Sequence, residues 1–233
     1  MSLPTRREFL AAACGIASAT FLSAQHASEP ILDIHQHAPY NARPRELVLP
    51  HQLQHEVTTT VLLPGEGWMR TIVGGNRDCA AFQSEHKEGF VHFACSDPAE
   101  SRTLDVLQGN LQRGAIGIGE MKFHVAVDSP EMHRVYKLAE EMNVPVLLHF
   151  EYEMYNTGFE RFKSLLKAYP KVNFIGHAQT WWGNISADLD PLDLYPKGPV
   201  KAGGLTDRLL SDYHNIYADL SAGSGLNAIT RDP

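Results

Sequence analysis

Four histidines stand where short apolar runs stop: ILDIHQH ends in His35 and His37, PVLLH in His149, and VNFIGH in His177. Alternate residues of an extended strand point to the same side, so His35 and His37 project together, and Ala38-Pro39 closes that run directly after them. Neutral imidazole is the commonest protein ligand for zinc-like ions. A single such histidine reads more readily as a buried ring bonded to a carbonyl; the ordered set of four reads as a divalent-metal site. The run AIGIGEMKF adds Glu120 and Lys122, two apart and therefore on one side. Glu120 is a further candidate ligand, able to bridge two ions. Lys122 could pair with Glu120 and orient the site, or be carboxylated and supply the bridging oxygens itself. The remaining histidines fall in loops, helices or strand interiors, and of these only His124, just past the fourth run, could reach the same place.

Seven apolar runs begin near Ile31, Val57, Phe90, Ala115, Pro145, Val172 and Ile216. Helical patterns lie between several of them. Ser129 can cap a helix with Pro130 in its first turn, and Met132, Val135, Tyr136, Leu138, Ala139 and Met142 keep a 3.6-residue period. Another helix is predicted from about Gly158 to Tyr169. Strand and helix alternating every ~30 residues predicts parallel βαβ units, hence an α/β barrel or a doubly wound sheet. A Gly-rich phosphate loop would favour the sheet, but GIGE at 117–120 lacks that spacing. In a barrel, the carboxyl ends of the strands converge on one mouth, which would gather the four histidines across the chain. A closed (β/α)8 TIM barrel needs eight strands and about 250 residues. The expectation is therefore a C-terminally truncated barrel over 28–233, with about seven strands present.

The chain has 233 residues, 43% of them hydrophobic, and a net charge of −7. That composition supports a full core and excludes intrinsic disorder. The negative charge opposes binding to nucleic acid. TRREFL at 5–10 precedes a run free of charge from Leu10 through Ala24. This resembles a twin-arginine export signal, and the run is shorter than the ~20 residues of a membrane span. Residues 1–27 are thus expected to be a signal peptide, the mature protein periplasmic and without a stable membrane anchor. Cys14 would leave with the signal; Cys79 and Cys95 are expected as free thiols, with a mutual disulfide as the alternative.

The HxH of the first run, the Gly-Glu of the fourth, and the histidines closing the fifth and sixth resemble the amidohydrolase superfamily of metal-dependent (β/α)8 enzymes. GHAQ at 176–179 and YADLSAGSG at 217–225 are similar to its amidohydrolase-related group, which includes hydrolases and decarboxylases. The resemblance implies one or two divalent ions, zinc first with manganese or iron as alternatives. His35, His37, Glu120, His149 and His177 would be the ligands, with His177 either a ligand or the catalytic residue that polarises the substrate. It implies attack of activated water on an amide, ester or lactone carbonyl of a small molecule. A decarboxylase of the same superfamily is the alternative; a non-catalytic ligand-binding barrel is another, and a homo-oligomer is possible in any case. The family's strand-eight aspartate has no counterpart: Asp219 is expected inside strand seven and Asp232 at the terminus. Trp181-Trp182 would either stack on a flat substrate ring or pack their loop onto the barrel. Lys197, Lys201 and Arg208 would meet an acidic substrate or face solvent.

Overall fold

The computed structural model describes residues 29–232. The signal peptide expected at 1–27, with Cys14 and His26, lies outside the described residues. Every predicted apolar run forms a strand: β1 (Leu32–Gln36), β2 (Thr59–Leu62), β3 (Phe90–His92), β4 (Ile118–Met121), β5 (Val146–His149), β6 (Phe174–His177) and β7 (Ile216–Ala218). They pair in parallel as two sheets, β1-β2-β3 and β4-β5-β6-β7. A parallel bridge between Ala94 and Ile118 links the sheets, so the strands follow one another in chain order. Helices cross between them: α1 (Val48–Gln54), α2 (Asn76–Glu85), α3 (Thr103–Gln112), α4 (Pro130–Met142) and α5 (Phe162–Ala168), followed after β6 by α6 (Gln179–Gly183) and α7 (Leu205–Asp212), and after β7 by α8 (Ala222–Thr230). Among the described residues this is the architecture of a (β/α)8 barrel with seven of its strands. Among the described residues no helix is long and apolar enough to cross a membrane.

The strands carry apolar residues on both faces because both are covered. Val61, Leu63, Phe93 and Leu147, with Ile34, Val91 and Ile175 against them, fill the barrel interior. The opposite faces pack on the helices, where Leu148, Val146 and Phe174 meet Tyr136, Phe162 and Leu165 in the main core. Each large apolar side chain so buried contributes ~1.5–3 kcal/mol.

The predicted helix after β4 forms as read. Ser129 Oγ accepts from the Met132 amide at 3.2 Å, Pro130 opens the first turn, and Asn143 ends it in the left-handed conformation at φ 53°. Its buried face, Met132, Val135, Tyr136, Leu138 and Ala139, is the stripe the period predicts. Cys79 and Cys95 are free and buried.

The tandem tryptophans do not stand over a substrate. Trp181 is fully buried and Trp182 nearly so. The Trp181 indole lies parallel to Phe150 at 6.2 Å and fills the space where a Cβ on Gly176 would sit, 2.3 Å away, so Gly176 and Trp181 require one another.

Candidate metal centre

β5 and β6 run in register, with His149 opposite His177, so both imidazoles leave the sheet at one level. β1 brings His35 near its end, and His37 follows one residue past it. Glu120, in β4, is 3% exposed and stands among all four rings. Its Oε2 is 3.6 Å from His35 Nε2 and 3.4 Å from His37 Nε2. Its Oε1 is 2.5 Å from His149 Nδ1 and 3.8 Å from His177 Nε2. One carboxylate thus faces the histidines of the first sheet with one oxygen and those of the second with the other. Among the described residues, three donor triads have ligand atoms lying within 4.8 Å of one another: His35–His37–Glu120, Glu120–His149–His177 and His35–His177–Asp219. Imidazole nitrogens and carboxylate oxygens so grouped suit zinc, manganese or iron.

The rings are held from behind. His37 Nδ1 donates to the Leu63 carbonyl at 2.8 Å, which fixes the ring with Nε2 turned towards Glu120. Asp219 was not among the sequence candidates, and its expected place inside strand seven is corrected: β7 ends at Ala218, and Asp219 follows it directly, 1% exposed. Its Oδ2 is 2.6 Å from His35 Nδ1 and 3.1 Å from His177 Nδ1. Its Oδ1 accepts from the Ser221 amide at 2.8 Å. The signal was the one that singled out His149 and His177, a chemistry-bearing residue closing an apolar run, in IYAD.

These contacts set the charges. Burial pushes the His35 imidazolium down, but hydrogen bonds and charge from Asp219 and Glu120 outweigh it and raise its pKa to about 10. Burial raises Glu120, yet the charge and hydrogen bond of His149 and the bonds of His35 and His37 hold it well below the carboxylate range. Asp219 is likewise held well down, burial being outweighed by its bonds to His177 and His35. Burial and the charge of His35 keep His177 below its ordinary value, so it is neutral at pH 7.

Lys122 does not pair with Glu120. Its Nζ lies over the rings of Trp68 and Tyr155, at 5.3 and 5.2 Å, which leaves the central position to Glu120. His124 is exposed, its ring against Tyr155. Lys197, Lys201 and Arg208 face solvent, and the arginine and lysine that line the cavity over the cluster are Arg43 and Lys122.

Glu151, also absent from the sequence candidates, places Oε2 3.3 Å from His149 Nε2. Nδ1 donates to Glu120 in the metal-free site; a proton held on Nε2 by Glu151 makes Nδ1 the nitrogen that would give up its proton to a bound ion. Replacing Glu151 with Leu is expected to weaken metal binding about 10–100-fold, with Glu151→Gln much milder, as read by competition with a chromogenic chelator. Equal affinity in all three proteins would remove Glu151 from this role.

No family model matches the chain, and no curated protein matches it. Solved structures do. An uncharacterised TIM-barrel protein from Bordetella bronchiseptica superposes with a TM-score of 0.58 at 12% identity, covering 81% of this chain and 74% of that one. A probable 2-pyrone-4,6-dicarboxylic acid hydrolase from Acinetobacter baumannii, with citric acid bound, gives 0.54 at 13% identity, covering 86% and 76%. A dihydroxybenzoic acid decarboxylase from Polaromonas sp., with manganese and 2-nitroresorcinol bound, gives 0.52 at 12% identity, covering 88% and 83%. Likeness at these identities shows the fold.

Proposed function

Taking this amidohydrolase-like barrel as the premise, we propose that the protein is a metal-dependent hydrolase acting on an amide, ester or lactone carbonyl of a small molecule. Its ion or ions, zinc first with manganese or iron as alternatives, would be held by His35, His37, Glu120, His149 and His177. The observation that carries this reading is the convergence of these donors around one buried carboxylate, beneath a cavity of about 590 Å³. A divalent ion bound there supplies Lewis acidity, lowering the pKa of water towards ~7 and polarising a carbonyl.

The chain's own residues orient and move the protons. Asp219 accepts the Nδ1 proton of His177 and so fixes the tautomer in which Nε2 carries the lone pair. Nε2 can then take a proton from the nucleophile and return it to the leaving group, while the Asp219 carboxylate stabilises the imidazolium. Where His177 is committed as a ligand, the same bond raises its basicity. A decarboxylase of the same fold is the second reading, favoured by the arginine and lysine of the cavity, Arg43 and Lys122, which suit a carboxylate substrate.

Mass-spectrometric metal analysis of protein purified without chelator tests the reading. About one or two ions per chain are expected in the wild type, lost in the His35→Ala/His37→Ala double variant. Folded wild-type protein free of metal would sink it.

A further inference from the structure

Where the first turn of α2 meets α3 there is a second cavity of about 590 Å³, which shares no lining residue with the one over the histidine cluster. Four arginines line it, two from each side: Arg70 and Arg77 around the start of α2, Arg102 and Arg113 at the two ends of α3. Its acids are Glu66 and Asp105, so the wall carries an excess of positive charge in a chain whose net charge is −7.

Two of the guanidinium groups are held in place. Arg70 Nη1 donates to Asp78 Oδ2 at 2.8 Å and packs on Gly75, where an added Cβ would stand 2.5 Å from the same nitrogen. Arg113 folds back along α3 over Gly109, where an added Cβ would stand 3.2 Å from its Nη1, and its Nη2 donates to Asn110 Oδ1 at 3.3 Å. Arg77 and Arg102 differ: among the described residues neither makes a hydrogen bond or an ion pair. Glu66 is engaged elsewhere, its Oε1 accepting from Asn76 Nδ2 at 3.2 Å, and Asp105 is exposed on α3.

Four like charges gathered in one concave wall repel one another, and an anion entering the wall relieves that cost. Each guanidinium presents parallel N–H donors that match phosphate oxygens two at a time. Arginines on both sides suit a ligand with more than one charged group. The rest of the wall excludes bulk of other kinds: it holds no aromatic ring, and Val106 is its one apolar side chain, so a nucleobase or a hydrocarbon tail has nothing to lie against.

We propose that this cavity binds a compact, multiply charged phosphate compound, inorganic pyrophosphate or a small sugar bisphosphate, with Arg77 and Arg102 as its open partners and Arg70 and Arg113 fixed beside them. The site stands apart from the metal centre and does not depend on the reaction carried out there.

Calorimetric titration of chelator-stripped protein tests it, since stripping removes any ion that would itself take phosphate oxygens. The probes are pyrophosphate and fructose 1,6-bisphosphate, with orthophosphate as the singly phosphorylated control; at least one probe is expected to bind about tenfold or more tightly than orthophosphate. The tighter of the two distinguishes the inorganic source from the sugar. Arg77 and Arg102 hold nothing else in the fold, so the Arg77→Gln/Arg102→Gln variant should melt like the wild type while its affinity for the probe falls about tenfold or more. Arg77→Lys/Arg102→Lys, which keeps the charge and loses the fork, should lie between them. Binding of neither probe at millimolar concentration, orthophosphate bound as tightly as both probes, or an affinity unchanged in the Gln variant would each overturn the proposal. So would an affinity lost in Arg43→Gln and kept in Arg77→Gln/Arg102→Gln, which would put the anion at the barrel mouth.

Discussion

Replacing Asp219 with Ala is expected to lower the unfolding free energy by about 3–5 kcal/mol, the range for removing one partner of a buried charged pair. The side chain is 1% exposed and bonds two imidazoles and an amide. Without it, His35 keeps a buried proton with only Glu120 to balance it, or gives the proton up and loses its orientation. Either outcome also scrambles the tautomer of His177, so metal affinity should fall together with stability. Since whole domains are stable by only ~5–15 kcal/mol, this one change consumes a large part of the margin. Urea denaturation of the wild type, Asp219→Ala and Asp219→Asn reads the effect. Asn keeps the shape and one acceptor, so it should lie between the other two. A loss below about 1 kcal/mol in Asp219→Ala would show that the carboxylate does not hold the imidazoles.

The chelator-stripped protein should lose about 2–3 kcal/mol of stability between pH 6.5 and pH 8.5. His35 titrates at 6.5 when unfolded and at about 10 when folded without metal. A raised pKa gives stability that is full below 6.5 and drains away as pH rises towards 10. Glu120 and Asp219 act in the other sense: their depressed pKa values give stability present above the ordinary carboxylate range and lost as pH falls through the folded values. Stripped protein is therefore most stable in mildly acidic solution. Bound metal reverses the alkaline trend, because an ion takes imidazole only without its proton and binds more tightly as His35 deprotonates. Thermal denaturation at the two pH values, with and without added zinc, tests both signs. Stopping at pH 8.5 keeps the measurement below the ordinary thiol value of 9.0, above which the buried Cys79, pushed up to about 12 by burial, would itself begin to cost stability. A stripped protein equally stable at both pH values would show that His35 is not held as an imidazolium.

The strand–helix alternation was legible because apolar runs on both sheet faces and a clean 3.6-residue stripe at 132–142 are local signals. The histidines were legible because each one closes such a run. Asp219 obeys the same rule, yet β7 stops one residue before it, and strand ends are where sequence patterns are least sharp. Trp181-Trp182 and Lys122 show a different limit. Their neighbours, Gly176 and Phe150 for Trp181, Trp68 and Tyr155 for Lys122, come from elsewhere in the fold. Nothing in the residues beside them announces those partners. Arg43 escaped for the same reason: it donates to Gln36 and the His37 carbonyl and, among the described residues, bonds no acid, and nothing beside it in the sequence announces that.

The bond between His35 and Asp219 spans 184 positions of the chain. Ordering two groups so far apart requires closing a long loop, and contacts of that kind form late in folding. The cluster draws on both sheets: β4-β5-β6-β7 carries the triad Glu120–His149–His177, whereas β1-β2-β3 brings His35 and His37 without a third donor. A nascent chain carrying only the first sheet offers an ion His35 and His37 and nothing from Glu120 onward. Capture that uses His35 and His37 is thereby deferred until both halves have docked, and a centre loaded through all of its donors becomes a record that the two sheets have come together.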